Sequence, residues 1–540
     1  MGAPGTRQAS VSGPANILEC LRDRAQARPE ALAFSIGEEA ITYGALQAGA
    51  LRLAGALQAG GLRRGDRCAL ALGTSGDFLR ALFAVQTLGA IPVAMNTGLP
   101  AEGLARRLAL IGATRVIALP DARLTDAAGP GLRLETVGEL LRATVPEAQS
   151  LRRAGPGDIA YLQITSGTTG EPRAAAITHR NLMASLRASQ RLLEAGPADI
   201  LVGWVPLYHD LGLVRFVFGT IYFGACAHLL APSMAILGEW LATMTRVGAT
   251  ISGAPDFGYR VAARTVSSAG IDLHALRFAT NGGEPVRRST IAEFEQRFGC
   301  PGAVRPGYGL AEATLGVSAL RRGEALDADA AGRVSTGRAF DGIEIRVTAP
   351  EGAPLRPGET GNIEVRGEAV FAGYYGDPAA TREVLSEDGW LRTGDTGALD
   401  ARGQLYVHGR TRALIKRAGA LVAPFEAEQA ADRVPGVRLS AAVGIAREAM
   451  GGTEELVIVA EIRPETSASD DARRNVIALI AHAVAQAVGF SPGEVIIVAP
   501  RTIPLTANGK IRHGELRNLL LRGAIATKMV RTASGQSRAD

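Results

Sequence analysis

Thr165-Ser166-Gly167-Thr168-Thr169-Gly170 runs on into Glu171-Pro172-Arg173 and follows the apolar run Ile159-Ala160-Tyr161-Leu162-Gln163-Ile164. A strand that ends in a loop of hydroxyl residues and glycines brings backbone N–H groups and hydroxyls together. Glycine also lets the backbone approach a ligand closely, so such a loop can wrap a polyphosphate. No Gly-Lys-Ser/Thr closes it, which separates it from the nucleoside-triphosphatase P-loop. With 66 glycines in the chain, a plain surface turn is the competing reading, and distant partners have to decide between the two.

On either side of this loop, strand-like and helix-like segments alternate. Cys68 to Leu72 is a short apolar run. A helix capped by Ser75 follows, with Phe78, Leu79, Leu82, Phe83 and Val85 on one face. Ile91 to Met95 is a strand, Glu102 to Ile111 a helix and Val116 to Leu119 a strand. The order recurs with strand Ile200 to Val205, helix-like Leu211 to Phe223, strand Cys226 to Leu230, helix Ile236 to Val247 and strand Ala249 to Ser252. Two successive βαβαβ units predict two doubly wound parallel sheets packed on each other, with ligands beyond the carboxyl ends of the strands.

Beyond about Gly337, strand-forming runs at Phe340 to Val347, Gly361 to Gly367 and Gly403 to Val407 are separated by Gly and Pro, as in a small β-subdomain. A last unit begins at Gly409. It holds helices at Phe425 to Arg433 and Ala472 to Val488, and strands at Leu439 to Gly444, Leu456 to Ile462 and Glu494 to Val498. The expectation is an α/β chain whose large N-terminal domain, residues 1–408, contains two doubly wound βαβ subdomains and the small β-subdomain. A small α+β C-terminal domain over 409–526 and a disordered tail over 527–540 complete it.

The bulk numbers narrow the function classes. A chain of 540 residues exceeds one compact core. Its net charge of +5 is small and its arginines are scattered, which speaks against a nucleic-acid surface. Cys20, Cys68, Cys226 and Cys300 form no CxxC pair and read as reduced thiols of a cytoplasmic protein. Met1 to Gly13 lacks signal-peptide character, and no apolar run reaches membrane-spanning length. The seven histidines show no zinc-site spacing. No Gly-x-Ser-x-Gly elbow marks a hydrolase.

Further motifs follow in order: Pro206-Leu207-Tyr208-His209-Asp210-Leu211-Gly212-Leu213, Asn281-Gly282-Gly283-Glu284-Pro285, Tyr308-Gly309-Leu310-Ala311-Glu312-Ala313-Thr314, Thr393-Gly394-Asp395, Gly409-Arg410 and Pro504-Leu505-Thr506-Ala507-Asn508-Gly509-Lys510. With the Thr165 loop, they resemble the adenylate-forming superfamily of acyl-CoA synthetases, luciferases and adenylation domains over nearly the whole chain. The resemblance implies that a carboxylate attacks the α-phosphorus of ATP, releasing pyrophosphate and leaving an acyl-AMP from which a thiol displaces AMP. Negative charge gathers on the α-phosphate in the transition state, so fixed donors and cations there should dominate catalysis.

It further implies roles for single residues. Thr165, Ser166, Gly167, Thr168, Thr169 and Gly170 would hold the β,γ-phosphates, with Arg173 where the family usually carries Lys. Glu312 would anchor Mg²⁺, and Ala311 stands at a position that is often Thr. Tyr308 would stack on adenine, Gly282, Gly283, Glu284 and Pro285 would line the base, and Gly309 and Leu310 would follow it. Asp395 would accept from the ribose hydroxyls, supported by Arg410. Lys510, on a loop of a mobile C-terminal domain hinged at Arg412, would reach the carboxylate and the α-phosphate.

Tyr208 occupies the place where amino-acid-activating relatives carry Asp, which implies an acid without an α-amino group. His209 would sit at the mouth of the acyl pocket or serve as a hydrogen-bonded core residue. Gly253, Phe257 and the stretch Phe216 to Tyr222 would wall an apolar tunnel, which periodicity alone does not separate from ordinary core. The wording of the motifs is most similar to the fatty acyl-AMP ligases, which implies a fatty acid and an acyl carrier protein acting in trans. The segment from Leu315 to Ser335 is shorter than those ligases usually carry, and Lys416 to Pro424 looks as much like a CoA ligase. Transfer to CoA is therefore the alternative, and a nucleotide-binding homologue without turnover a more remote one.

Overall fold

Ser75 accepts from the Phe78 N–H and starts helix Gly76–Thr87, which buries Phe78, Leu79, Leu82, Phe83 and Val85. This helix lies between strands Arg67–Ala71 and Ile91–Ala94, which pair in parallel. The computed structural model describes residues 14–127, 131–142, 154–165, 172–233, 235–410, 415–417, 420–446, 454–464, 466, 469–505, 511–525, 527–532 and 537–538. Met1 to Gly13 lies outside them.

The first sheet has six strands, ordered Arg133–Glu135, Arg115–Ala118, Arg67–Ala71, Ile91–Ala94, Ile159–Thr165 and Arg173–Thr178. Only its last pair is antiparallel, and that pair flanks the Thr165 loop. The second sheet has nine strands. Its parallel centre runs Val304–Tyr308, Phe278–Gly282, Ile251–Ala254, Ile200–Gly203 and Cys226–Leu229. Strands Leu32–Ile36 and Glu39–Thr42, early in the chain, add to this second sheet beside Cys226–Leu229. The two sheets share one apolar core: Phe218 meets Phe83 at 6.2 Å and Tyr161 at 5.5 Å between ring centroids.

The helix-like stretch Leu211 to Phe223 is a π-helix over Leu211–Phe218 that continues as an α-helix over Gly219–Phe223. Its entry is tight: a Cβ on Gly212 would stand 2.2 Å from the Pro206 carbonyl oxygen, so only glycine fits.

A four-stranded antiparallel sheet, Ile343–Thr348, Gly361–Gly367, Leu391–Leu399 and Leu405–Arg410, forms the small β-unit. Helices Pro424–Asp432 and Asp470–Val488 then accompany a five-stranded sheet ordered Val437–Ala446, Glu454–Ile462, Glu494–Val498, Thr527–Thr532 and Ser537–Arg538. The tail over 527–540, expected to be disordered from its polarity, supplies two of these strands. The open edge of Glu494–Val498 gives its backbone N–H and C=O groups partners, which composition alone does not reveal.

Candidate functional site

Thr165 ends its strand and pairs across the hairpin with Arg173. The Arg173 guanidinium lies 5.0 Å above the centroid of the Tyr374 ring and 3.5 Å from Glu383. Tyr374 donates its hydroxyl to Glu312 Oε1 at 2.8 Å. Burial, and after it the Glu312 charge, push the Tyr374 phenol above its ordinary range, so it stays a donor. A cation, a phenol and a carboxylate are thus linked in a chain.

The turn that presents Glu312 is a 3₁₀ segment, Ala311–Ala313, followed by two residues in left-handed backbone, Thr314 (φ 52°) and Leu315 (φ 96°). Such backbone carries about 1–3 kcal/mol of strain per residue and persists where the surroundings over-determine it. Here the Ser185 hydroxyl donates to the Thr314 carbonyl, and the Thr314 hydroxyl donates to the Ala369 carbonyl, each at 2.6 Å. A Cβ on Gly309 would stand 1.7 Å from the Leu315 carbonyl oxygen, so the turn closes only over glycine.

A second chain of contacts joins Tyr308, Asp395 and Arg410. The Tyr308 hydroxyl donates to Asp395 Oδ2 at 2.6 Å, and Arg410 Nε lies 3.3 Å from Asp395 Oδ1. Asp395 and Arg410 face each other in register across adjacent strands. Burial raises the Asp395 carboxyl, while Arg410 and the Tyr308 hydroxyl favour its charge.

Asn281 is held from behind. Its Nδ2 donates to Asp256 Oδ1 at 3.1 Å, and Asp256, fully buried, also accepts from the Arg287 backbone and guanidinium and from the Thr290 hydroxyl. Arg287 reaches on to Asp432 at 3.3 Å and lies 5.1 Å over the Phe425 ring, so the motif is tied to helix Pro424–Asp432. Arg260 also approaches Asp432, at 3.4 Å, and Arg333 meets Glu426 at 2.9 Å.

These elements surround a cleft of about 1260 Å³ lined by Thr165, Arg173, Tyr208, His209, Glu312 and Arg410, among others. Gly283, Gly309 and Leu310 join its wall, and Arg512 and His513 enter from the C-terminal side. The Tyr208 and His209 rings lie 4.8 Å apart, and the Tyr208 carbonyl accepts from Gln163 Nε2 at 2.8 Å. Gly282, Glu284, Pro285, Tyr308 and Asp395 are not among its lining residues; Gly282 and Asp395 are buried and Pro285 is exposed. Glu284 accepts from the Phe257 N–H at 2.6 Å. The Phe257 ring packs edge-on against Trp204 in the core, and Gly253 lies under Phe216, so neither opens to the cleft. Ser166, Gly167, Thr168, Thr169, Gly170, Arg412 and Lys510 lie outside the described residues.

Glu312 is the carboxylate best placed to hold a divalent cation. One of its oxygens is taken by Tyr374 and the residue opens to the cleft, a donor set that fits Mg²⁺, which takes one or two carboxylates and completes its shell with water and phosphate. Among the described residues no group of three or more His, Cys, Asp or Glu side chains is arranged to hold a metal ion, at Glu312 or elsewhere. Tyr374, Gln163, Asp256 and Arg287 escaped the sequence reading. Gly373-Tyr374-Tyr375 offered only a turn with aromatics, and the others carry no local signature.

A family model described as "AMP-binding enzyme" matches residues 21–375. The chain belongs to the AMP-binding enzyme family. Among relatives of this family, the medium-chain-fatty-acid–[acyl-carrier-protein] ligase TtuA of Teredinibacter turnerae is 31% identical over 69% of this chain and 64% of its own length. A feruloyl-CoA synthase of Amycolatopsis sp. is 32% identical, covering 92% of this chain and 97% of the relative. A chain from a study of fatty acyl-adenylate ligases from E. coli and L. pneumophila superposes with a TM-score of 0.82 at 29% identity, over 94% of this chain and 98% of that one. As an AMP-binding enzyme, the protein is a ligase of the group that forms acyl adenylates with ATP.

Proposed function

We propose that this protein activates a fatty acid to its acyl-AMP and passes the acyl group to the phosphopantetheine thiol of an acyl carrier protein. The observation that carries the adenylation half is the convergence on one cleft of Arg173, the Tyr374-supported Glu312 and Arg410, with buried Asp395 paired to Arg410. These groups match what phosphate, a divalent cation and a ribose demand: a cation, a hard oxygen donor and a buried acceptor carboxylate. Arg173 binds phosphate oxygens, and Asp395 accepts from the ribose hydroxyls. Mg²⁺ held by Glu312 supplies charge neutralisation at the phosphates. Tyr308, with its hydroxyl engaged by Asp395, presents its ring toward adenine beside Gly282 to Pro285.

Lys510 serves as the cation at the reacting carboxylate and α-phosphate. It is brought there by a C-terminal domain of residues 409–526 that turns about Arg412 against the N-terminal domain of residues 1–408. His209 borders the acyl entrance next to Tyr208, a pairing that favours an acid without an α-amino group.

The carrier-protein acceptor draws support from motif wording and from TtuA. The short segment 315–335 and the near full-length match to a feruloyl-CoA synthase favour CoA as the second reading. Supplying CoA or a phosphopantetheinylated carrier protein separately, with a panel of fatty and aryl acids, separates the two. Acyl-carrier product forming well ahead of acyl-CoA is the expected result. Equal or faster acyl-CoA formation reverses the assignment, and absence of both products with intact pyrophosphate exchange rejects both acceptors.

A further inference from the structure

Arg215 sits in the middle of the π-helix Leu211–Phe218 and is only 3% exposed. Its Nε and Nη1 are buried and have no hydrogen-bond partner among the described residues. Among the described residues no carboxylate pairs with it, and burial lowers its pKa to about 10. A buried charge without a partner is strongly unfavourable, and a native structure retains one chiefly where something else completes it.

The position of the residue says what that is. The π-helix leaves the cleft wall directly after Tyr208, His209 and Asp210, all of which line the cleft. Leu211, its first residue, is half-buried, and Arg215 follows at a spacing of four on the same side of the helix. The neighbouring Phe216 fills the space over the sheet. Cβ atoms on Gly203 and Gly253 would stand 2.7 Å and 3.7 Å from its ring. Beside Gly253, the buried Thr280 Oγ1 also has no partner among the described residues. The stretch expected to wall an apolar tunnel thus holds an aromatic ring packed onto the sheet and, beside it, a cation without a partner among the described residues.

We propose that Arg215 is a specificity residue that binds a second carboxylate at the far end of the acid, so that the substrate is a dicarboxylic acid and not a plain aliphatic one. The far carboxylate accepts from the guanidinium in the two-pronged manner that suits Arg, while the near one is adenylated. This rests on the adenylation reading and narrows its fatty acid to one ending in a second acidic group.

The test is ATP–pyrophosphate exchange with matched pairs of acids, each a monocarboxylic acid and its ω-carboxylated counterpart, over a range of chain lengths. Wild-type protein should prefer the dicarboxylic member of its best pair by about 30-fold in kcat/KM, the scale of an interaction lost with one partner of a buried charge pair. Arg215→Met should erase or invert that preference while exchange with monocarboxylates persists, and Arg215→Lys should keep part of it. The wild-type comparison stands without any variant, should Arg215→Met fail to fold. Wild-type preference for monocarboxylates, or an unchanged ratio in folded Arg215→Met, overturns the assignment of Arg215 alone. Exchange with no acid at all overturns the adenylation reading and this inference with it.

Discussion

Glu312 can do its work only if its carboxylate is aimed, and Tyr374 does the aiming through one hydrogen bond of 2.8 Å. Glu312→Gln keeps the shape but removes the charge a cation needs. It should lower pyrophosphate exchange by more than about 100-fold, on the scale of removing a charge-stabilising group from an active site. Tyr374→Phe removes only the support. It should cost about 10-fold, the scale of one net hydrogen bond to a charged group, and excess Mg²⁺ should recover part of the loss. Equal losses in the two variants would remove the distinction between the group that binds and the group that positions.

His179 is a second case at this scale. Burial lowers its pKa to about 4 against the pull of Asp158, and His408 is lowered to about 4 by burial and Arg333. In the unfolded chain each takes up a proton near pH 6.5. The folded state thus binds fewer protons. Stability is full above that pH and is lost as pH falls from about 6.5 through about 4, by about 3 kcal/mol per histidine at the limit. Urea denaturation across that window should show the fall, and His179→Gln should flatten it. A wild-type midpoint that does not move with pH would contradict the burial of both imidazoles.

Among the elements, the turn from Tyr308 to Leu315 concentrates the most constraint. Its closure depends on the bare Cα of Gly309, on left-handed Thr314 and Leu315, and on two buried hydroxyl bonds. Gly309→Ala should displace the Glu312 turn, because the clash is with backbone and not with the end of a flexible side chain. Exchange activity should then fall together with a stability loss of about 2–3 kcal/mol, in the range of overpacking and backbone strain. A folded, fully active Gly309→Ala enzyme would show that the turn has room to shift. The hairpin flanking the Thr165 loop was legible as an apolar run ending in hydroxyls and glycines. The strained turn was not: Tyr308 to Thr314 is legible as a motif, but the left-handed backbone of Thr314 and Leu315 is held by Ser185 and Ala369, far away in the chain.

On the scale of the whole molecule, Asp432 is the point where the residues behind Asn281 and helix Pro424–Asp432 meet. Arg287 holds Asp256 with one hand and Asp432 with the other, while Arg260 flanks the pair. Burial raises the Asp432 carboxyl, against the two guanidinium groups. Asp432→Ala should therefore loosen this arrangement. A stability loss of about 2–3 kcal/mol is expected, toward the lower end for breaking a buried pair because Arg287 keeps Asp256. Small-angle scattering should show a broader distance distribution, and the ratio of adenylation to transfer rates should shift. Unchanged scattering and an unchanged ratio would reduce the contact to packing.

The order of strands and helices, the two doubly wound sheets and the succession of small motifs were determined by the sequence by itself. Periodicity, capping residues and glycine-hydroxyl loops act over a few positions and leave a local record. Tertiary structure alone decided which groups meet. Tyr374 finds Glu312 across 62 residues, and Arg287 and Arg260 find Asp432 across 145 and 172. It also decided that a stretch legible only as helix winds as a π-helix that buries Arg215, and that part of a polar tail becomes strands. Such outcomes depend on which distant surface lacks a partner, and no short stretch of chain contains that information.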